Sequence, residues 1–143
     1  MARRALVRAI AVLGIFGAGV ATGFATQAPA DSAPRTDSPQ RVEQKRTDLT
    51  GAPGMEVIAS VAEYKPGEGI RPHVHHGVEV AYVLEGATVQ SPGRDPAVLA
   101  TGATVMNLRD VKHAGFVVVG DTPLKLFTVH VVDKGKPLYD YAK

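Results

Sequence analysis

Two histidines and a glutamate make the cluster in this sequence that is best suited to chemistry. His73 and His75 are two residues apart, and alternate side chains of an extended strand point to the same face. Glu79 follows His76-Gly77, where the chain can turn, and it begins a run of strong strand formers. Two imidazole nitrogens and one carboxylate oxygen suit a first-row transition metal. The pattern predicts a metal site that takes a further ligand from elsewhere in the chain.

The spacing around these residues resembles the first motif of the cupin family. That motif is a Gly, a His-x-His pair, a Glu and a second Gly, and its five positions here are Gly67, His73, His75, Glu79 and Gly86. The motif is specific, because every defining position is filled at the family spacing.

A second cupin motif is recognisable but less complete. Gly102 and His113 occupy family positions at the family spacing. Leu108, Asp110 and Val117 stand where the family usually has Pro, Gly and Asn. The two motifs together extend from residue 67 to residue 117. The resemblance implies that His113 completes a metal site made of His73, His75, Glu79 and His113.

From residue 54 onward the chain has the pattern of an all-β domain. Short runs rich in Val, Ile and aromatic residues alternate with Gly, Pro and Asp, and no helical period of useful length appears. This spacing predicts a sandwich or barrel. The cupin resemblance implies a single-domain double-sheet jelly-roll barrel over residues 54–143. The predicted strands are Met55–Tyr64, Arg71–His75, Glu79–Leu84, Ala87–Gln90, Ala97–Ala100, Thr104–Met106, His113–Val119 and Leu124–Val132.

The first 30 residues have the layout of a secretory signal peptide. Three arginines precede an apolar run rich in Ala, Val and Gly, and Ala28-Pro29-Ala30 provides a small-x-small cleavage site. Arg3-Arg4 also resembles a twin-arginine export signal, and the general secretory route remains the alternative. We expect a periplasmic or secreted protein, with an uncleaved inner-membrane anchor as the other interpretation. Residues 31–53 are polar and rich in Pro, Ser and Thr, which predicts a flexible linker or arm.

Charge and composition exclude several classes of function. The sequence pI is about 9.0, but three of the 16 basic residues lie in the leader, which has no acidic residue. The remaining chain has one more acidic than basic residue and no basic stripe, which argues against nucleic-acid binding. The chain has no cysteine, so disulfides and thiolate metal sites are excluded.

Strand alternation predicts which side chains surround the metal. Ala81 and Val83 share the face of Glu79, and Gly115 and Val117 share the face of His113. Met106 and Phe127 are further candidates for an apolar pocket beside the ion. His76 is out of phase with the ligands and is interpreted as a rim or second-shell residue. His130 lies within an apolar strand and is either a second-shell donor or a core histidine bonded to the backbone.

The predicted cofactor is one divalent transition metal ion, namely Mn, Fe, Ni, Cu or Zn, because the ligand set does not distinguish among them. Two functions remain open. One is an exported protein that binds the ion and a small organic ligand in an apolar barrel. The other is a metal-dependent dioxygenase, or a metal-assisted lyase or isomerase, acting on a small substrate. No catalytic acid or base stands out, which favours the first. We expect a small-molecule ligand or substrate and a homodimer, with no nucleic-acid partner and no membrane contact after signal cleavage.

Overall fold

The computed structural model describes residues 38–141, and the predicted signal segment and the start of the linker lie outside that range. Within it every regular element is a strand, and no helix is long and apolar enough to span a membrane. The strands are β1 (Val42–Asp48), β2 (Met55–Tyr64), β3 (Gly69–Ile70), β4 (His73–Val74), β5 (Gly77–Glu85), β6 (Ala87–Gln90), β7 (Ala97–Leu99), β8 (Thr104–Asn107), β9 (Phe116–Val118), β10 (Leu124–Asp133) and β11 (Asp140–Tyr141).

A five-stranded antiparallel sheet forms one wall of the fold, in the order β1-β2-β10-β5-β8. Its two longest strands, β2 and β10, alternate strictly between buried and half-buried residues along ten positions. This period of two places one face of each strand against the interior and the other outside. The inner face carries the candidate metal ligands Glu79 and His130.

A four-stranded sheet in the order β3-β9-β6-β7 forms the second wall, and β4 pairs separately with β11. The hydrophobic core lies between the two walls. It joins Tyr64, Val83 and Leu124 of the five-stranded sheet to Ile70 and Val118 of the four-stranded sheet. Complete burial of each Val or Leu side chain contributes about 1.5–3 kcal/mol. This arrangement confirms the predicted all-β double-sheet jelly roll.

Part of the N-terminal arm forms a strand that the sequence patterns did not predict. The range 31–53 was expected to be a flexible linker or arm, and within it Val42–Asp48 forms β1, an edge strand paired with β2. All seven side chains of β1 are exposed, so no alternation of apolar residues identified it in the sequence. Backbone hydrogen bonds to β2 hold this strand in the sheet.

Candidate metal centre

Glu79 lies in a row of polar side chains that crosses the inner face of the five-stranded sheet. The Cα register places it opposite Asn107 of β8 on one side and His130 of β10 on the other. Nδ2 of Asn107 donates a hydrogen bond of 2.6 Å to Glu79 Oε2. Nε2 of His130 lies 3.2 Å from Glu79 Oε1. The two neighbouring strands therefore place a nitrogen close to each oxygen of this buried carboxylate.

His73 and His75 present the same ring nitrogen to one point. Nδ1 of His73 is 2.7 Å from the carbonyl oxygen of Arg71, and Nδ1 of His75 is 2.9 Å from that of Leu138. A carbonyl oxygen only accepts, so each Nδ1 donates, and Nε2 of each neutral ring carries a lone pair. The two Nε2 atoms are 3.2 Å apart, and that of His75 is 3.1 Å from Glu79 Oε2.

These three atoms are electron-pair donors in a buried space, and Nε2 of His75 lies close to each of the other two. His75 is fully buried, and His73 and Glu79 are 4% and 6% exposed, so water does not screen the repulsion among them. A cation or a shared proton among the three atoms is needed to offset it. Neutral imidazoles and a carboxylate are ligands that a divalent transition metal accepts. The donor set therefore fits a metal ion.

His113, from a distant part of the chain, lies beside His73 and His75. Its backbone bridges that of His73, with N–H to O=C bonds of 2.8 and 3.2 Å in the two directions. Its ring centroid lies 5.5 Å from that of His73 and 5.2 Å from that of His75. Among the residues described, no hydrogen-bond partner reaches its buried Nε2. The structure thus brings the His113 ring beside two of the other three residues that were predicted as ligands.

The tightest group of possible ligands in residues 38–141 is not the predicted four. It consists of His75, Glu79 and His130, whose ligand atoms all lie within 4.8 Å of one another. His130 is fully buried, and neither ring nitrogen has a hydrogen bond within the described part of the chain. The alternative of a core histidine bonded to the backbone therefore does not describe His130. It lies directly beside the carboxylate as a fifth candidate ligand.

The protonation states suit metal binding at neutral pH. Burial lowers the pKa of His73 to about 4, although the Arg71 carbonyl opposes this shift. Burial also lowers the pKa of His113 and of His130. Burial of Glu79 by itself raises its pKa, but His130 and His75 outweigh that effect and hold the pKa well below its usual range. At neutral pH the lowered pKa values leave His73, His113 and His130 uncharged and Glu79 ionised, which are the forms of these groups that bind a metal.

Tyr139, from the C-terminal segment, covers the histidines. Its ring packs edge-on against His73, His75 and His130, with centroid distances of 4.9, 5.1 and 5.7 Å. The guanidinium of Arg41, 5.2 Å from the ring centre, donates a hydrogen bond to the Tyr139 hydroxyl. The arm before β1 and the segment before β11 therefore meet over the candidate metal ligands.

Arg41 is itself buried and contributes to the inner face. Only 6% of it is exposed, and Nη1 donates a hydrogen bond of 2.9 Å to Thr128 Oγ1 on β10. This residue lies outside the segment covered by the two motifs. A buried guanidinium held by hydroxyl groups adds a cation close to the site.

A cavity of about 260 Å³ lies beside the ligands. Its lining includes His73, Glu79 and His113 together with apolar residues of both sheets. Ala81 and Gly115, both predicted from strand alternation, are part of this lining. The lining residues that sequence reasoning missed are Arg41, Tyr64, Ile70, Ser91, Leu99, Val105, Asn107, Ala114, Phe116, Leu126 and Tyr139.

The other four predicted lining residues lie elsewhere. Val83 has the expected orientation but belongs to the hydrophobic core. Met106 is 63% exposed, because Val105 and Asn107 are the inward residues of β8. Phe127 pairs with the exposed Tyr82 and faces outward.

Val117 is 45% exposed, while the adjacent Phe116 lines the cavity. The cause is Gly115, whose positive φ of 70° breaks the two-residue alternation that was extrapolated from His113. A side chain at Gly115 would overlap the carbonyl oxygen of Ile70, so this conformation is available only to glycine.

His76 lies at the rim of the candidate site, which is one of the two positions that the sequence predicted for it. Its side chain is 26% exposed, and its nitrogens lie 3.7 Å from Asp110 Oδ1 and 3.4 Å from Asp140 Oδ2. It is absent from the cavity lining and from the tightest ligand group.

The comparisons with known proteins agree with this geometry. Residues 60–130 match the family model described as the cupin domain. The protein therefore belongs to the cupin superfamily, whose double-sheet barrel it has. The match covers β3 to β9, half of β2 and most of β10, and thus contains every candidate ligand. No curated protein matches the sequence.

Solved structures with the same fold are only distantly related in sequence. An uncharacterized conserved protein with a double-stranded beta-helix domain from Klebsiella pneumoniae superimposes with a TM-score of 0.55 at 18% identity, over 78% of this chain and 91% of that one. The polyketide cyclase RemF from Streptomyces resistomycificus gives 0.50 at 20% identity, over 69% and 80%. The DMSP lyase DddQ from Ruegeria pomeroyi gives 0.45 at 20% identity, over 56% and 40%. Such similarity establishes the fold alone.

Proposed function

We propose that this protein is an exported cupin that binds one divalent transition metal ion and holds a small organic ligand in the cavity beside it. The observation that carries the proposal is a cluster of buried ligand atoms around His75. Nε2 of His75 lies 3.2 Å from Nε2 of His73 and 3.1 Å from Oε2 of Glu79, and the ligand atoms of His75, Glu79 and His130 all lie within 4.8 Å of one another. His113 and His130 supply further nitrogens.

The candidate ions are Mn, Fe, Ni, Cu and Zn, all of which accept imidazole with carboxylate. His75 and Glu79 would hold the ion, with the remaining ligands drawn from His73, His113 and His130. A bound ion of this kind acts as a Lewis acid and, when redox-active, as a site for dioxygen. The residues of the chain orient the ligands, exclude water with Tyr139 and provide the apolar cavity wall.

Metal binding is tested by titration of the metal-depleted full chain with each ion, followed by elemental analysis. We expect one equivalent of metal in the wild type and the loss of most of it in His75→Ala. His76→Ala is the matched control, because that histidine lies at the rim, and it should retain the metal. Uptake below about a tenth of an equivalent for every ion would contradict the proposal, since a structural or catalytic site binds stoichiometrically.

The ligand is inferred from the size and lining of the cavity. A volume of about 260 Å³ with mostly apolar walls suits a small organic molecule. A larger open groove of about 560 Å³, lined by Arg71, Pro72 and Val117 among others, shares Ile70, Ser91 and Phe116 with the cavity. Because the groove and the cavity share these residues, we expect the ligand to enter the cavity through the groove.

Export is supported by the sequence of the first 30 residues. N-terminal sequencing of protein recovered from the periplasm or medium of the producing cells tests it. Cleavage after Ala30 is the expected result. A chain that retains Met1 in the membrane fraction would support the anchored alternative, and a full-length chain in the cytoplasm would contradict both.

A second candidate function is a metal-dependent enzyme, either a dioxygenase or a lyase or isomerase. The observation that favours it is Tyr139, whose phenol lies beside three histidine rings and lines the cavity. This residue supplies the proton donor or acceptor that no pattern in the sequence indicated.

Oxygen consumption by Fe-, Mn- and Cu-loaded protein, measured over a panel of phenols, diketones and thiols, separates a dioxygenase from a binding protein. Loss of turnover in Tyr139→Phe with metal content unchanged would support a catalytic tyrosine. Tight binding of a panel compound without turnover would favour the binding function.

A further inference from the structure

The cavity beside the candidate ligands and the groove that leads to it contain few charged side chains. In the part of the chain that the structure describes, Arg71 is the charged residue of the groove lining, and Arg41 and Glu79 are those of the cavity lining. His73 and His113 also line the cavity, and burial lowers the pKa of each, so both are uncharged at neutral pH. The charge that an entering molecule meets is therefore set by two guanidinium groups and one carboxylate.

The negative charge of Glu79 is compensated within the candidate metal centre. Nitrogens of Asn107, His75 and His130 lie 2.6, 3.1 and 3.2 Å from its oxygens. A divalent ion bound by this carboxylate and by neutral imidazoles leaves the centre with a net positive charge. The cavity as a whole is then positive, a conclusion that rests on the proposed metal binding.

Arg41 places a positive charge in a wall from which water is largely excluded. Only 6% of the residue is exposed, and its neighbours in the cavity lining include Ala81 and Leu126. The attraction between this guanidinium and an anion is weakly screened there. The side chain is held by Thr128 Oγ1, at 2.9 Å from Nη1, and by the Tyr139 ring, whose centre is 5.2 Å from the guanidinium. It therefore loses little conformational freedom when a ligand binds.

Arg71 places a second positive charge at the groove. It is exposed and lines the groove directly after Ile70, a residue that lines both the groove and the cavity. Its guanidinium lies 4.6 Å from the ring centre of Tyr141, in the same C-terminal segment as Tyr139. An exposed charge at the mouth of a binding site mainly accelerates the association of molecules of opposite charge.

We propose that the small organic ligand of this protein is a carboxylic acid with an apolar body. Arg41 binds its carboxylate in the cavity, and Arg71 attracts the anion into the groove. A planar guanidinium matches the two oxygens of a carboxylate better than any other side chain does. Apolar residues of both sheets, among them Leu99 and Phe116, contact the body of the acid.

Other classes of ligand fit these charges less well. An amine meets two guanidinium groups and a metal ion, all of which repel it. A neutral amide or alcohol gains nothing from either arginine charge. Inorganic phosphate carries the right charge but leaves the apolar walls of the cavity without a contact.

The test compares acids with their uncharged amides on the Zn²⁺-loaded full chain. The probes are benzoate with benzamide and butanoate with butanamide, and calorimetric titration measures each dissociation constant. Each acid should bind at least about 10-fold more tightly than its amide. Arg41→Gln should remove most of this preference by weakening the acid. Arg94→Gln is the matched control, because Arg94 is exposed and belongs to neither lining, and it should preserve the preference.

Arg71→Gln, at an exposed position, provides a second variant if Arg41→Gln fails to fold. It should slow the association of benzoate several-fold at about 0.02 M salt and much less at about 0.5 M, because salt screens an exposed charge. Stopped-flow measurement of the association rate in wild type, Arg71→Gln and Arg94→Gln gives the comparison.

Elemental analysis of the same samples separates this inference from the proposed metal binding. A chain that holds no zinc but prefers acids contradicts the metal site and supports the ligand class. A zinc-loaded chain that binds acid and amide equally overturns the ligand class, and so does one that binds neither acid up to about 10 mM. A preference for acids that survives in both Arg41→Gln and Arg71→Gln would assign the carboxylate to the metal ion. Inorganic phosphate that binds as tightly as benzoate would show that the apolar walls do not select the ligand.

Discussion

His130 of β10 pairs directly with Glu79 of β5, and its Nε2 lies 3.2 Å from Oε1 of that carboxylate. The contact places an imidazole against the oxygen that Asn107 does not use, since Asn107 binds Oε2. In the proposed metal site, His130 would therefore either ligate the ion directly or hold the carboxylate that does. The two roles predict different losses of metal affinity when the imidazole ring of His130 is removed.

The first prediction concerns His130→Asn, which retains a polar side chain but removes the ring. If His130 is a ligand, we expect metal affinity to fall by more than about 100-fold, as for His75→Asn. If His130 acts only by holding Glu79, the metal affinity should fall by about 10- to 100-fold. Calorimetric titration with Zn²⁺ measures both variants, and His76→Asn at the rim is the control. An affinity within a factor of about two of the wild type would exclude both roles.

The second prediction concerns Asn107, which sequence reasoning did not select. Replacement of Asn107 by Ala removes the 2.6 Å hydrogen bond to Glu79, and we expect a loss of metal affinity of about 10- to 100-fold. Asn107→Asp should weaken the site further, because it brings a second carboxylate against the first. Thr104→Ala, at an exposed position of the same strand, should have no effect. Unchanged metal affinity in Asn107→Ala would show that the Glu79 carboxylate keeps its orientation without the hydrogen bond from Asn107.

The first motif identified side chains that the structure brings close together, because they are close in sequence. His73 and His75 are two residues apart, and the strand period alone predicts that their rings converge. His130 and Asn107 could not be found in this way. Both meet Glu79 across strand pairs whose register depends on how β5 lies between β8 and β10. Tyr139 and Arg41 come from the two ends of the domain, where no apolar period predicts a position.

The structure explains one of the departures from the second cupin motif. Asp110 stands where the family usually has Gly, and it adopts a positive φ of 57°. Aspartate is one of the few residues other than glycine that enter this region readily. The turn is therefore preserved although the residue differs, and His113 still reaches the site. Val117, where the family has Asn, faces outward at 45% exposure.

The third prediction concerns Gly77, which begins β5 two residues before Glu79. A Cβ at this position would overlap the carbonyl oxygen of Val131 and lie 2.6 Å from Val132 Cα, and neither backbone group can move without displacing β10. We expect Gly77→Ala to lower the free energy of unfolding by at least about 3 kcal/mol, measured by urea denaturation. Gly120→Ala is the matched control. Its Cβ would lie 3.3 Å from the Thr88 side chain, which can adjust, so the change should stay below about 1 kcal/mol. Equal effects of the two substitutions would contradict the close approach of β5 to β10.

The fourth prediction is that the metal-free protein loses stability in mild acid. The pKa of His73 falls from its ordinary 6.5 to about 4 on folding, mainly through burial. Between these two values the unfolded chain binds a proton that the folded chain does not, so stability rises with pH in this window. The contribution is complete above about pH 6.5 and is lost as the pH falls through 4, and we expect the unfolding free energy to drop by at least about 2 kcal/mol. His113 and His130, whose pKa values burial also lowers, act in the same direction. Urea titrations at several pH values measure the slope. His73→Gln should flatten it, and His76→Gln should not. A wild-type stability that is constant from pH 7 to pH 4 would contradict the burial of neutral imidazoles at this site.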